Sequence, residues 1–234
     1  MLHNLPFNAL YDGNHLFIEK YKVRYLPNSS VLRFLKEKAL GSQKSQGALV
    51  IGNPTGDLKY SEREAIEIAK IFNVKPLLRD DAKKQVVIKE VSGKKVLHFS
   101  CHGKFEQLYQ RYSRLLLSDG NLYVLDVYNL DINADIVVLS ACETALGELT
   151  DKAKLSMGDE VEGFIRAFIY AGSPTVIATP WRVDDEITSK LFLKFYKSIG
   201  DKIDKIRQAQ IYVMKRKIYS HPFYWAGFIL IGEK

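Results

Sequence analysis

The sequence predicts an α/β fold in which helices flank a doubly wound, mostly parallel sheet. Short apolar runs rich in β-branched residues recur along the chain, and such runs are typical of strands buried on both faces. Segments with apolar residues at helical spacing separate these runs, and this alternation is the pattern of an open sheet with helices on both sides. The predicted strands cover residues 48–51, 74–78, 95–100, 135–140, 174–179 and 225–231.

The helices predicted between these strands depend on apolar stripes, which we interpret as core packing. Ser61 and Glu64 have the spacing of a capping box, which predicts the start of a helix at Ser61. Two further stripes begin at Val161 and after Asp184, and a basic helix is predicted over residues 204–219. The stripe residues are Ala65, Ile68, Ala69 and Phe72, then Val161, Phe164, Ile165, Phe168 and Ile169, then Ile187, Leu191 and Phe195.

The remaining segments predict one extension and one insertion. Residues 21–26 alternate in the manner of a strand, and Ser29 or Ser30 is placed to cap a short helix through Leu40. The polar stretch 41–47 predicts a linker, so residues 1–47 form an N-terminal strand and helix extension and residues 48–234 form the core. Residues 114–124 predict a β-hairpin around a glycine-containing turn, inserted between two strands of the sheet.

Composition excludes several classes of protein. The 234 residues are 47% hydrophobic and include 12 Phe and 13 Tyr, too many for a disordered chain. No apolar run approaches the ~20 residues that span a bilayer, and no secretory signal is visible, so we expect a cytoplasmic protein without membrane contact. Two cysteines do not make a disulfide framework. The net charge of +7 comes from spread basic residues, which does not favour direct contact with nucleic acid.

Two of the predicted strands end in residues that can do chemistry. One ends in Phe99-Ser-Cys-His-Gly and another in Leu139-Ser-Ala-Cys-Glu, so His102 and Cys142 each follow directly after a strand. Open α/β sheets place their sites beyond the carboxyl ends of the strands. A thiol needs a base to become a thiolate at neutral pH, and an imidazole suits that task. The N–H groups of Gly103 and Cys142 are candidates for stabilising an oxyanion.

Other chemistries lack their partners. A Cys-x5-Arg phosphatase loop would need an arginine where the chain has Glu148, and no phosphate-loop motif, dinucleotide motif or zinc-ligand set is present. We therefore expect no metal and no cofactor. Cys101 is a poor nucleophile candidate because its side chain would point away from that of His102, and His98 is interpreted as a hydrogen-bonded core group. From the residues alone, a buried structural role remains an equal alternative for Cys142 and His102.

Motifs along nearly the whole chain resemble one family. They are Leu5-Pro-Phe-Asn-Ala-Leu, Tyr21-Lys-Val-Arg-Tyr, Ile51-Gly-Asn-Pro-Thr-Gly-Asp-Leu, His98-Phe-Ser-Cys-His-Gly, Val138-Leu-Ser-Ala-Cys-Glu-Thr, Gly158-Asp-Glu, Ala171-Gly, Trp181-Arg-Val-Asp-Asp and His221-Pro-Phe-Tyr-Trp-Ala-Gly-Phe. In this order they resemble the CHAT family of caspase-like cysteine peptidase domains, which are related to separase and the caspases. The histidine motif matches at His102 and the nucleophile motif at Cys142.

The resemblance implies a caspase-like fold and a cysteine endopeptidase that cuts a protein substrate through a His102–Cys142 dyad without a cofactor. Members of the family often lie beside helical TPR repeats, so it also implies a TPR-type companion or another regulatory partner. The implied setting is bacterial defence or cell-death signalling. The alternative is a caspase-like binding or switch module in which cleavage is weak or absent.

The pocket for the substrate residue before the scissile bond is expected to flank the nucleophile. The loop 180–185 would reach over it, and Ser140 and the hairpin residue Asp119 would border it. Asp184 or Asp185 there would favour a basic substrate side chain. A helix N-cap is the favoured interpretation of Asp184, however, and packing is favoured over substrate recognition for Trp181.

Overall fold

A computed structural model describes residues 5–42, 44–106, 109–141, 161–181 and 183–234 of the chain. Its strands are β1 Gln46–Gly52, β2 Leu77–Leu78, β3 Lys94–Ser100, β4 Gly103–Lys104, β5 Arg114–Leu117, β6 Gly120–Tyr123, β7 Ile136–Ser140, β8 Thr175–Ala178 and β9 Ile229–Gly232. Its α-helices are α1 Phe17–Lys20, α2 Val31–Ser42, α3 Lys59–Phe72, α4 Lys84–Glu90, α5 Val124–Tyr128, α6 Glu162–Ala171, α7 Asp185–Lys197 and α8 Lys202–Met214. Within these residues, no helix has the length and apolar character needed to cross a bilayer.

The central sheet has six strands in the order β2-β1-β3-β7-β8-β9. The first five strands are parallel to their neighbours, and only the edge strand β9 runs antiparallel, against β8. The predicted mostly parallel sheet is therefore confirmed. Strand β2 is shorter than predicted, because Pro76 lacks the N–H that would extend the ladder towards Val74.

Two apolar layers cover the faces of the sheet, as the helical stripes predict. Along β3, Leu97 and Phe99 belong to the layer that holds α6, whereas Val96 belongs to the layer that holds α3 and α7. This alternation follows from the two-residue period of a strand. Replacing a fully buried side chain of either layer, such as Phe168 or Phe192, with alanine is expected to cost about 3–5 kcal/mol of unfolding free energy.

The N-terminal part departs from the sequence prediction in three places. Residues 21–26 make one bridge, Tyr25 to Ile231, rather than a strand. At the start of α2, Asn28 Oδ1 accepts the N–H of Val31 at 3.1 Å, and the Ser30 hydroxyl donates to the same oxygen instead of capping the helix itself. Helix α2 continues through Ser42 and β1 begins at Gln46, so most of the predicted linker is regular structure. The domain division at residue 47 stays a prediction.

The predicted hairpin is confirmed as β5 and β6, and β4 adds a third antiparallel strand to it. Two helix boundaries were predicted wrongly. Helix α3 begins at Lys59 without a capping box, because Ser61 Oγ donates to Asp185 and Glu64 is buried against His98. The basic helix, α8, ends at Met214, five residues earlier than predicted.

Candidate active site

The two strands that carry the predicted catalytic pair are neighbours in the sheet. β3 and β7 pair in parallel, and their last residues, Ser100 and Ser140, are register partners. His102 follows Ser100 by two positions, and Cys142 follows Ser140 by the same number. Cys142 lies outside the described residues, so the pairing of its thiol with the His102 imidazole stays a prediction.

His102 is held at the rim of the sheet by one carboxylate. Its Nε2 lies 2.9 and 3.0 Å from the two carboxylate oxygens of Asp57, and its side chain is 11% exposed. Its main-chain carbonyl accepts the N–H of Leu116 at 2.9 Å, which fixes the backbone against the hairpin. A carboxylate at Nε2 selects the tautomer with a proton on that nitrogen, and Nδ1 is then available to accept a proton.

Gly103 follows as the first residue of β4 and pairs with Leu115. The hydrogen bond from Leu116 N–H to the His102 carbonyl lies one position outside this pair on each strand. That pattern identifies Gly103–Leu115 as a non-hydrogen-bonded antiparallel pair, so the Gly103 N–H points away from β5. A side chain at Gly103 would collide with Phe105, since a Cβ there would lie 2.8 Å from the ring.

The loop after β1 brings Asp57 to His102. Asn53 turns the chain with a φ of +49°, donates its N–H to the Ser100 carbonyl at 2.9 Å, and so ties the loop to the end of β3. Its side-chain Oδ1 accepts the N–H of Leu58 at 2.7 Å. Asparagine tolerates the left-handed conformation better than most residues, and Gly56 (φ +84°) supplies the second such turn.

Two neighbours keep Asp57 ionised. The Thr55 hydroxyl donates to its carboxylate, and His102 adds a second hydrogen bond and its charge; together they lower the pKa of Asp57 below its usual 3.8. The motifs that predict His102 and Cys142 do not include Asp57. The signal was available, because the strand before Asp57 ends at the same sheet edge as the strands before His102 and Cys142.

Two of the four predicted pocket residues, Ser140 and Asp119, lie at the end of β7 and next to the start of α4. Ser140 is buried at the end of β7, beside Ser100. Asp119 accepts the N–H of Lys84 at 2.7 Å, at the start of α4. In the described part of the chain, neither hydrogen-bonds to His102. Their role in a substrate pocket stays a prediction.

The other two pocket candidates, Trp181 and Asp184, have the structural roles that the sequence favours. Asp184 caps α7 by accepting the N–H of Ile187 at 3.2 Å. The Trp181 Nε1 donates to the carbonyl of Phe223 at 3.0 Å, and its ring lies so close to Gly227 that a Cβ there would be 2.5 Å away. Their contact with a substrate stays a prediction.

The remaining histidine and cysteine of β3 belong to the interior. His98 is fully buried, with Nε2 2.7 Å from Glu64 Oε1 and Nδ1 3.1 Å from the Tyr196 hydroxyl, which confirms it as a hydrogen-bonded core group. Cys101 is buried as well, and burial raises the pKa of its thiol to about 12. A thiol with that pKa is almost never a thiolate at neutral pH, which fits the prediction that Cys101 is not a nucleophile.

A family model, the CHAT domain, matches residues 1–233. The chain belongs to the CHAT domain family. Two curated relatives, the tetratricopeptide repeat protein 28 of Mus musculus and that of Homo sapiens, are each 25% identical to this CHAT domain over 99% of its length. The chain spans only 12% of either relative.

Solved structures with the same fold include caspase-like cysteine peptidases. A Saccharomyces cerevisiae separase–securin complex superposes with a TM-score of 0.65 at 14% identity, over 98% of this CHAT domain and 14% of that chain. A complex of the Porphyromonas gingivalis RgpB pro- and mature domains superposes with a TM-score of 0.53 at 10% identity, over 92% of this chain and 51% of that one. The predicted caspase-like α/β fold is thereby confirmed.

Proposed function

We propose that this CHAT domain is a cysteine endopeptidase in which Cys142 is the nucleophile, His102 the base and Asp57 the group that orients His102. The observation that carries the proposal is the 2.9 Å contact between Asp57 and His102 Nε2, at the end of the strand next to β7. A base held by a third group, with a nucleophile motif two residues beyond the neighbouring strand, is the arrangement that nucleophilic catalysis needs.

The first half of the reaction forms a thioester. With Asp57 on the Nε2 proton, His102 Nδ1 takes the proton of the Cys142 thiol, and the thiolate attacks the carbonyl carbon of the scissile peptide bond. The oxyanion accepts hydrogen bonds from the N–H groups of Gly103 and Cys142. The orientation of Gly103 N–H away from β5 supports this role, because it leaves that donor out of the hairpin ladder.

The second half returns the enzyme to its starting state. The imidazolium of His102 gives its proton to the leaving amine as the carbon–nitrogen bond breaks, which leaves an acyl group on Cys142. A water then attacks the thioester while His102 takes a proton from it, and the carbon–sulfur bond breaks. The proton returns to the sulfur, so no metal or cofactor enters any step.

The test compares the wild-type chain with Cys142→Ala and His102→Ala. Each protein is incubated with a proteome-derived peptide library, and mass spectrometry identifies cleaved bonds. A thiol-directed acyloxymethyl ketone probe reports which cysteine reacts. We expect both variants to lose cleavage and the wild type to be labelled at Cys142, with Cys101→Ala as a matched control that keeps both properties. Undiminished cleavage by either variant contradicts the assignment.

Regulation by an attached or bound partner is part of the proposal. It is supported by the relatives, which are named for tetratricopeptide repeats and are far longer than this chain. Probe labelling of Cys142 in the 234-residue chain is compared with labelling in any longer product of its gene. A folded chain whose Cys142 stays unlabelled in both forms would favour the binding or switch module instead. A role in bacterial defence stays a prediction.

A further inference from the structure

A cavity of about 460 Å³ opens beside Asp57, beyond the carboxyl ends of β1 and β2. Asn53, which directly follows β1, and Arg79, which directly follows β2, line two of its sides. The loop after β1 adds Gly56 and Asp57 to the lining, and the first turns of α3 add Lys59, Glu62, Arg63 and Ile66. The cavity therefore shares Asp57 with the candidate active site.

Some charged side chains that line the cavity form ion pairs with one another, and others do not. Both oxygens of Glu62 accept from the Arg79 guanidinium, at 2.8 and 3.2 Å, and Asn53 Nδ2 adds a third hydrogen bond at 2.7 Å. Within the described part of the chain, the exposed side chains of Lys59 and Arg63 have neither an ion pair nor a hydrogen bond. With the carboxylates of Glu62 and Asp57 engaged, two cations remain to face the cavity.

The backbone of α3 does not compete for an anion there. A carboxylate of this chain, that of Asp185, already lies at the start of this helix, where it accepts the Ser61 hydroxyl at 2.9 Å. Binding of an anion in the cavity would therefore depend on side chains, and on Lys59 and Arg63 above all. Because both side chains are exposed, they can be replaced without disturbing the fold.

The sheet order gives the cavity its place relative to a substrate. In the order β2-β1-β3-β7, His102 follows β3, Cys142 follows β7, and the cavity lies at the opposite side of His102 from β7. If the proposed function holds, His102 protonates the leaving amine. The part of the substrate on the C-terminal side of the scissile bond therefore passes next to His102. That half of the substrate then continues over the ends of β1 and β2.

From these observations, and resting on the proposed function, we propose that Lys59 and Arg63 bind an acidic side chain of the substrate on the C-terminal side of the scissile bond. The ligand class is a carboxylate, because the three cations and two carboxylates of the lining leave one net positive charge, and two of those cations have no partner of their own. The cavity would make cleavage selective for Asp or Glu at one position after the cut.

The test uses internally quenched peptides built around a bond that the wild-type chain cleaves, with Glu or Gln at each of the first few positions after that bond. At one position we expect kcat/KM for Glu to exceed that for Gln about fivefold, as for a charge pair that is only partly shielded from water. Lys59→Gln/Arg63→Gln should bring the ratio close to one. Lys36→Gln/Lys215→Gln removes the same charge from exposed sites outside the cavity and should leave the ratio unchanged.

A second measurement separates this proposal from the peptidase proposal. Fluorescence anisotropy compares the fluorescein-labelled peptides Ala-Glu-Asp-Glu-Ala and Ala-Gln-Asn-Gln-Ala on the Cys142→Ala chain, with and without Lys59→Gln/Arg63→Gln. Tighter binding of the acidic peptide that needs the two cations supports the subsite, even where no bond is cut. Equal binding of the two peptides, or cleavage without an acidic preference, overturns the subsite and leaves the peptidase proposal standing.

Discussion

His98 and His102 are four positions apart, and the Nε2 of each lies against a carboxylate. In the His98–Glu64 pair both side chains are fully buried, whereas in the His102–Asp57 pair the histidine is 11% exposed and the aspartate 62%. The first pair joins β3 to α3, and Tyr196 of α7 occupies its second nitrogen. In the second pair, Nδ1 of His102 has no hydrogen-bond partner within the described part of the chain. The same two chemical groups thus make a structural link inside the sheet and a candidate catalytic base at its edge.

The largest expected difference between the two histidines is in activity. His102→Ala should lower kcat/KM by about 10⁴-fold or more, as loss of a catalytic base does, and should lower the melting temperature less than His98→Ala, because the carboxylate that it leaves behind, that of Asp57, is largely exposed to water. Kinetics on a cleaved peptide and thermal unfolding followed by circular dichroism measure both quantities. A His102→Ala variant that kept most of its activity would show that His102, like His98, has a structural role.

The two cysteines give the next largest contrast. Burial raises the pKa of the Cys101 thiol to about 12, so at pH 8 far less of Cys101 is thiolate than of an ordinary cysteine. We expect iodoacetamide to modify Cys142 in the folded chain and Cys101 only after unfolding, as peptide mapping would show. Modification of both at similar rates in the folded chain would contradict the buried environment of Cys101.

The buried His98–Glu64 pair should affect the free energy of unfolding. His98→Ala is expected to cost about 3 kcal/mol of unfolding free energy, because Glu64 would stay buried without its partner, and its Oε2 already has none in the described chain. The double variant Glu64→Leu/His98→Leu removes both members of the pair and leaves only the Tyr196 hydroxyl without His98; a neutral hydroxyl costs less to leave unpaired than a carboxylate, so this variant should cost less. Urea unfolding measures both. A double variant that is as unstable as His98→Ala would show that packing, rather than pairing, sets the cost.

The comparison also shows what sequence patterns can predict. His98 was assigned to the core because it lies inside an apolar run, and the stripe residue Phe168 was assigned to the core from helical spacing; both are buried. Glu64 was assigned to a capping box because that motif is local, whereas its partner lies 34 residues away. Asp57 was missed for the same reason, since its position depends on the positive φ of Asn53 and on the bond between Asn53 and Ser100. Contacts between distant segments have no local periodicity.

The smallest expected effect belongs to Asp57, because it acts through His102. Asp57→Asn keeps an acceptor near Nε2 but removes the charge that offsets the imidazolium, so kcat/KM should fall about tenfold, as for a charged hydrogen bond replaced by a neutral one that is about 1.4 kcal/mol weaker. Asp57 also affects stability, because the Thr55 hydroxyl and then His102 lower its pKa from 3.8 in the folded state. The ionised carboxylate therefore stabilises the fold fully above pH 3.8, and this stabilisation is lost as the pH falls through the pKa of the folded state.

Because Asp57 is largely exposed, the gap in unfolding free energy between wild type and Asp57→Asn should stay below about 1 kcal/mol at pH 7 and narrow below pH 3.8. Kinetics at pH 7 and urea unfolding between pH 3 and 7 measure the two effects. A gap that widened on acidification would mean that the folded state does not favour the ionised carboxylate. Full activity in Asp57→Asn would leave the 2.9 Å contact without a role in orienting His102.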